Sequence, residues 1–278
     1  MLAETLEYLA IRPDGTYADV TAGLGGHTRA IAERLTSGGK LIASDRDPQS
    51  LEMARRNAAE FADRIEFRHA QFSEADLSGL DGLLADFGVS RFQLTDPERG
   101  FSFQSDGPAD MRMDQTRGMT AADLVNHSAE KAIADLIFQL GEERRARKIA
   151  RAIVRARPIR STLHLAGVVE RAVPRTGPMH PATRTFQALR MAVNRELEEI
   201  DALLEAAPQM VRPGGRMVMI SFHSLEDRKV KESFRELARS GRATLLTKKP
   251  IVPSEQEIRE NPPSRSAKLR AVEMAGAV

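Results

Sequence analysis

Apolar and polar positions in the first ninety residues switch repeatedly between helical and strand spacing. Leu2, Leu6 and Leu9 recur at helical steps between Met1 and Ile11, and Pro13-Asp-Gly ends that stretch. A short apolar strand follows from Tyr17, then a glycine turn, then a helix from His27 to Leu35 with Ala30, Ile31 and Leu35 inward and Gly38-Gly39 closing it. Lys40–Ser44 predicts a second strand, and Pro48 opens a helix whose core side is Leu51, Ala54 and Ala58. Ile65–His69 and Gly82–Phe87 predict the third and fourth strands. Strands alternating with helices at this spacing specify a doubly wound, mainly parallel α/β sheet.

The rhythm then changes. From Ser90 to about Pro181 no stretch reads as a strand. A loop rich in Gly, Asp and Phe leads into helical segments near Thr120–Gln139, Glu142–Arg157 and Thr162–Ala172. Phe186, Leu189, Val193, Leu197, Ile200 and Leu204 then predict one helix packing back on the sheet, which resumes at Arg216 after Pro213-Gly-Gly. The organisation expected is an α/β domain of residues 1–104 and 180–278, with an all-helical domain, residues 105–179, inserted between the fourth and fifth strands. The proline-rich stretch from Leu245 to Arg265 reads as loop, and Ala267–Glu273 as a last strand.

Composition narrows the chemistry. The chain has 278 residues, 41% hydrophobic and 29% charged, which is a globular balance. It has no Cys, which removes disulfides, thiolate metal sites and cysteine nucleophiles together. No apolar run reaches the ~20 residues that span a bilayer, and Met1-Leu-Ala-Glu does not open a signal peptide, so no membrane association and a cytoplasmic setting are expected. Net charge is only +2, so affinity for nucleic acid must come from local clustering. No His, Asp or Glu grouping has metal-ligand spacing, and no metal is expected.

The candidate chemistry starts at the first βα turn. Gly23, Gly25 and Gly26 allow a tight turn and close approach of a ligand. The next helix offers its N-terminus to an anionic group, and Asp45 at the end of the second strand can take the hydroxyls of a ribose. Thr28 occupies the third place of the dinucleotide fingerprint, and no Gly-Lys-Ser/Thr follows, which excludes a P-loop. With Asp19 before the turn and His27 after it, the zwitterionic methionine end of S-adenosylmethionine fits better than a pyrophosphate. Asp86 sits where the fourth strand delivers a carboxylate to the rim, and Phe72 follows the third strand. Phe101 and Phe103, interleaved with polar residues and Arg99, have the pattern that stacks on unpaired bases. Arg144, Arg147, Lys148, Arg151 and Arg155 share a helix face suited to phosphates, as does the cluster of Arg175, His180, Arg184 and Arg190. A nicotinamide oxidoreductase and a noncatalytic RNA-binding module remain alternatives on these residues.

Longer motifs sharpen the choice. These include Gly25-Gly-His-Thr, Asp45-Arg-Asp-Pro, Gln93-Leu-Thr-Asp-Pro-Glu-Arg-Gly-Phe-Ser-Phe, Asp106-Gly-Pro-Ala-Asp-Met-Arg-Met-Asp and Gly141-Glu-Glu-Arg. Further along stand His180-Pro-Ala-Thr-Arg-Thr-Phe-Gln-Ala-Leu-Arg, Ser221-Phe-His-Ser-Leu-Glu-Asp-Arg and Ser264-Arg-Ser-Ala-Lys-Leu-Arg. With these in order over nearly its whole length, the chain resembles the bacterial RsmH/MraW family of ribosomal RNA small-subunit methyltransferases. The resemblance implies a Rossmann-like class I methyltransferase that modifies the exocyclic N4 of a cytidine in 16S ribosomal RNA, within the small subunit. It implies S-adenosylmethionine contacts by Gly25, Gly26, His27, Asp45, Phe72, Asp86 and Gln93. Within that frame Asp86 and the adjoining backbone carbonyls are expected to polarise the amine or orient the cofactor, Phe101 or Phe103 to stack on the flipped base, and His223 to receive the proton. Arg147, Arg151, Arg155 and Arg184 are expected to meet RNA. Whether the chain works alone or as a homodimer stays open. The Asp/Asn-Pro-Pro-Tyr/Phe signature of DNA amino-methyltransferases is missing, because Asp86 is followed by Phe-Gly-Val.

Overall fold

The computed structural model describes residues 1–36, 38–175 and 177–276. These divide into two compact units, one of residues 1–88 with 197–278 and one of residues 89–196. The first unit opens with helix α1 (Leu2–Leu9), strand β1 (Thr16–Asp19), helix α2 (Gly26–Ala32), strand β2 (Lys40–Asp45), helix α3 (Pro48–Asn57), and strands β3 (Ile65–His69) and β4 (Leu80–Asp86). The second unit holds α4 (Arg91–Thr95), α5 (Ala121–His127), α6 (Glu130–Gly141), α7 (Ala146–Arg155), α8 (Thr162–Ala172) and α9 (Thr183–Val193). Then come α10 (Glu196–Met210), β5 (Val211–Ser221), α11 (Ser224–Arg239), β6 (Ala243–Leu245), α12 (Glu255–Glu260) and β7 (Lys268–Met274).

Strand order is β3-β2-β1-β4-β5-β7-β6, with β1 to β5 parallel and β7 antiparallel to both neighbours. The chain therefore reverses its direction of travel across the sheet between β1 and β4, the switch point at which ligands bind in open α/β folds. Strand β4 is buried along Leu80–Ala85, as a central strand covered on both faces must be. One face packs Leu9, Ile31, Leu51 and Ala54 from α1, α2 and α3. The other packs Leu203 and Ala207 of α10 and Val230 and Phe234 of α11. Local chemistry starts the elements as the sequence suggests: Asp47 caps α3 by accepting from the amides of Gln49 and Ser50, and Pro48 fills the first helical position. Among the described residues no helix is long and apolar enough to cross a membrane.

Several expected elements differ. Helix α2 stops at Ala32, short of Leu35, so it spans only seven residues. The expected segment Thr120–Gln139 breaks at Ser128, and α7 starts at Ala146 rather than Glu142. The expected helix through Phe186 and Leu204 is two helices, α9 and α10, because Arg195 takes a left-handed φ of 49°. At the break, Asn194 donates to the carbonyls of Met111 and Arg190 and accepts from Met113. As a result Phe186 and Leu189 join the core of the helical unit rather than the sheet. The expected domain edges at 104/105 and 179/180 thus fall inside the second unit, whose core also takes in Phe101 and Phe186. Strand β5 begins at Val211 and bulges before rejoining register at Arg216. The proline-rich tail hides α12, capped by Ser254, and the short strand β6 was not expected at all.

Candidate active site

The first βα turn is pinned at Gly25. Gly25 has φ +86°, and a Cβ there would stand 2.9 Å from the Cα of Ala54 in α3. At Gly26 a Cβ would meet nothing within 4 Å, so the turn borders open space. Asp45, at the end of β2, ties this turn down: Oδ2 accepts from the Gly23 amide at 2.7 Å and Oδ1 from Asp47 at 2.8 Å. Asp19, at the end of β1, is fully buried and accepts from Thr28 Oγ1 at 2.7 Å and from the amide and hydroxyl of Thr21. The same Thr21 hydroxyl accepts from the Asp86 amide at 2.6 Å, which links the ends of β1 and β4.

Three carboxylates therefore converge at the switch point. Burial pushes Asp19 and Asp45 up to about 6 against an ordinary value of 3.8. Burial first, and the nearby charge of Asp19 second, push Asp86 up to about 7. His27 Nδ1 lies 3.5 Å from Asp86 Oδ2, yet burial drives this imidazole down to about 4, so it is neutral at neutral pH and does not compensate the acid. Asp86 Oδ1 is buried with no hydrogen-bond partner. A site with three clustered carboxylates and an orphaned carboxylate oxygen suits a ligand bearing positive charge. The sulfonium and ammonium of S-adenosylmethionine supply that charge, whereas a pyrophosphate would be repelled. The donor set and the open glycine turn fit this cofactor.

The remaining expected contacts are dispersed. Phe72 is half-buried in a 3₁₀ turn after β3, edge-on to Phe87 at 5.9 Å. Gln93 belongs to the helical unit, where it is buried in α4 and its Oε1 accepts from the Ser90 amide at 2.9 Å. His223 precedes α11, and its Nε2 lies 3.0 Å from Oε1 of the buried Glu226. Asp19 was the acid least stressed by sequence, although its place at the end of β1 was the signal that could have found it.

In the helical unit Phe101 is buried in the core beside the buried Arg99, whose guanidinium donates to the carbonyls of Arg112 and Met113. The expectation that Phe101 stacks on a base is therefore corrected: its alternation with polar residues reflects an anchored loop. Phe103 is half-buried, with its ring 4.6 Å from His180 and 4.8 Å from Phe186. Arg147, Arg151 and Arg155 are exposed on α7, while Ala146, Ile149, Ala150 and Ile153 face the core. The stripe is not wholly unopposed, since Arg151 lies 3.5 Å from Glu130. Arg190 leaves the second basic cluster, paired through two 2.8 Å hydrogen bonds with Glu196. Arg144, Arg145, His180 and Arg184 instead line a cleft of about 430 Å³ with Pro174 and Met179.

Known proteins similar to this chain show its family. The model of the MraW methylase family matches residues 1–275. The chain is 64% identical to Ribosomal RNA small subunit methyltransferase H of Solibacter usitatus, over 99% of this chain and 98% of that protein. It is 53% identical to the protein of the same name from Acidobacterium capsulatum, over 98% and 96%. A solved candidate rRNA-methylase from Clostridium thermocellum shares the fold, with a TM-score of 0.52, 12% identity and coverage of 98% and 96%. The nicotinamide oxidoreductase and the noncatalytic module are thereby set aside. With a family match over almost the whole chain and a cationic-ligand site at the switch point of its sheet, this chain belongs to the MraW methylase family and is an S-adenosylmethionine-dependent methyltransferase.

Proposed function

We propose that this methyltransferase modifies the exocyclic N4 of a cytidine in 16S ribosomal RNA, within the small ribosomal subunit in the cytoplasm. The observation that carries the reading is Asp86, a rim carboxylate with an unpartnered oxygen and a pKa near 7, next to the glycine turn. S-adenosylmethionine, when bound, supplies a methyl group on a cationic sulfur that leaves readily. A cytosine amine has its lone pair delocalised into the ring and is unprotonated at neutral pH. It needs an acceptor that draws one hydrogen out of plane, and alignment of the nitrogen with the methyl at about 3–3.5 Å. Asp86 is that acceptor: the surplus amine proton released when the nitrogen is methylated would pass to its carboxylate. Burial makes this carboxylate a stronger base than an exposed aspartate, which favours its taking the proton. Asp45 holds the ribose of the cofactor, Gly25, Gly26 and His27 border it, and Phe72 adds an aromatic contact. Labelled methyl from S-adenosylmethionine should appear in small-subunit RNA, and unlabelled RNA with competent cofactor binding would refute the reading.

The acids also make cofactor binding depend on pH. All three are raised in the folded protein, so the free enzyme takes up protons as pH falls through 7 and 6, and stability from these groups declines as pH rises from about 4 to about 7. A cation favours their ionised forms. Cofactor affinity should therefore increase from about pH 5 to about pH 7.5, with protons released on binding. Calorimetry at pH 6.5 in two buffers of different ionisation enthalpy reads this release, and identical apparent enthalpies would contradict it.

Arg147, Arg151, Arg155 and Arg184 provide the phosphate contacts of the helical unit, and Phe103 its aromatic contact with RNA. Replacing Arg147, Arg151 and Arg155 with Ala should lower the slope of log affinity against log salt by roughly 2–3 and leave cofactor affinity alone. An unaltered slope would return the stripe to ordinary solvated surface.

A further inference from the structure

A base brought out of its stack loses stacking on both faces, and enzymes restore it with an aromatic side chain near the reacting group. In the Asp/Asn-Pro-Pro-Tyr/Phe arrangement that aromatic comes three positions after the acidic residue, and here that position is Val89. Phe87 cannot serve, being buried in the core against Phe72. Phe101 is buried as well.

We infer that Phe222, just past the end of the neighbouring strand β5, is the platform on which the acceptor cytosine lies during methyl transfer. This rests on the base-amine reading above. In the sheet Asp86 pairs with Ile220, and the two-residue alternation of Val218 and Ile220 carries Phe222 onto the same face, where it packs against the same core cluster. Gly88 has φ +105°, and a Cβ there would lie 3.5 Å from Phe222 Cδ2, so the ring rests beside bare backbone two residues from Asp86. Phe222 is half-buried and packs partly against the core. Its backbone is fixed from below, because the fully buried Glu226 accepts from the amides of Phe222 at 2.8 Å and His223 at 3.4 Å. The ends of the paired strands β4 and β5 thus bring an aromatic ring and a proton acceptor to one rim, the pair that a flat base with a reactive amine requires.

Three readouts test the assignment on full-length protein: single-turnover methylation of small-subunit RNA at saturating cofactor, cofactor affinity by calorimetry, and melting temperature. Phe222→Leu keeps apolar volume but removes the ring face, whereas Phe222→Tyr keeps the face. The inference predicts a loss of at least twentyfold in the Leu variant and a rate within threefold of wild type in the Tyr variant, with cofactor affinity and melting temperature unchanged in both. A pyrrolocytidine placed at the cytidine that wild type methylates should be quenched by wild type and Tyr but not by Leu. Transfer by Phe222→Leu within threefold of wild type would overturn the inference. So would a loss shared by Tyr, or one accompanied by weaker cofactor binding or a lower melting temperature, since each marks a structural role. If wild type itself places no methyl on cytidine N4, the base-amine reading fails first, and the inference falls with it.

Discussion

Asp86→Asn is expected to slow single-turnover methyl transfer by about a hundredfold or more at saturating cofactor and RNA, the range for losing a general base. The amide is nearly the same size and keeps the fold, but it cannot take a proton from the amine. The buried environment makes the change severe: Oδ1 has no partner in the protein, and the carboxyl already sits near 7 because burial and the Asp19 charge disfavour its ionisation. The substitution also removes one of the three acids that attract the cationic cofactor. Affinity for S-adenosylmethionine should therefore fall too, which is why the rate is compared at saturation. A rate within threefold of wild type would remove Asp86 from the proton path and leave it a role in cofactor electrostatics alone.

Gly100→Ala is expected to destabilise the loop of the helical unit by about 2–5 kcal/mol, adding left-handed strain to overpacking. Gly100 has φ +69°, and a Cβ there would stand 2.2 Å from the Pro108 carbonyl oxygen and 2.7 Å from the Asp110 amide nitrogen, both backbone atoms with little room to shift. That loop is organised by Arg99, whose own carbonyl accepts from Met111, while Asp110 and Ala109 accept from Ala121 and Ala122 at the start of α5. Hydrogen exchange of the Met111, Ala121 and Ala122 amides is the sensitive measurement, because it reads local opening without requiring the two units to unfold together. Unchanged protection would mean that the long Phe-Ser-Phe motif does not depend on this turn.

The strands were readable because parallel strands covered on both faces leave short apolar runs such as Leu83-Leu84-Ala85, and because glycine and proline punctuate them. The rim acids were readable for the same reason: a strand end that turns polar after such a run exposes its last residue at the sheet edge. The break between α9 and α10 was hidden, since the 3- and 4-residue spacing from Phe186 to Leu204 continues straight through it. The left-handed turn at Arg195 ends the first helix there, and Asn194 braces it by donating to the Met111 carbonyl and accepting from the Met113 amide. Phe101 misled because a buried aromatic anchored beside a guanidinium and an exposed stacking aromatic share one local pattern, and burial alone separates them. Phe222 gave no local signal, as its relation to Gly88 arises from the pairing of β4 with β5, residues more than a hundred positions apart in sequence.

The central claim is that the acids at the switch point serve transfer of a methyl group to a cytidine amine. The measurement that tests it most directly is nucleoside analysis of 16S ribosomal RNA after reaction of small subunits lacking the modification with methyl-labelled S-adenosylmethionine, using wild type and Asp86→Asn side by side. The account predicts label in N4-methylcytidine at one position with wild type, and at least a hundredfold less in the same nucleoside with the variant. Label in a different nucleoside, or equal yields from the two proteins at early times, would contradict it.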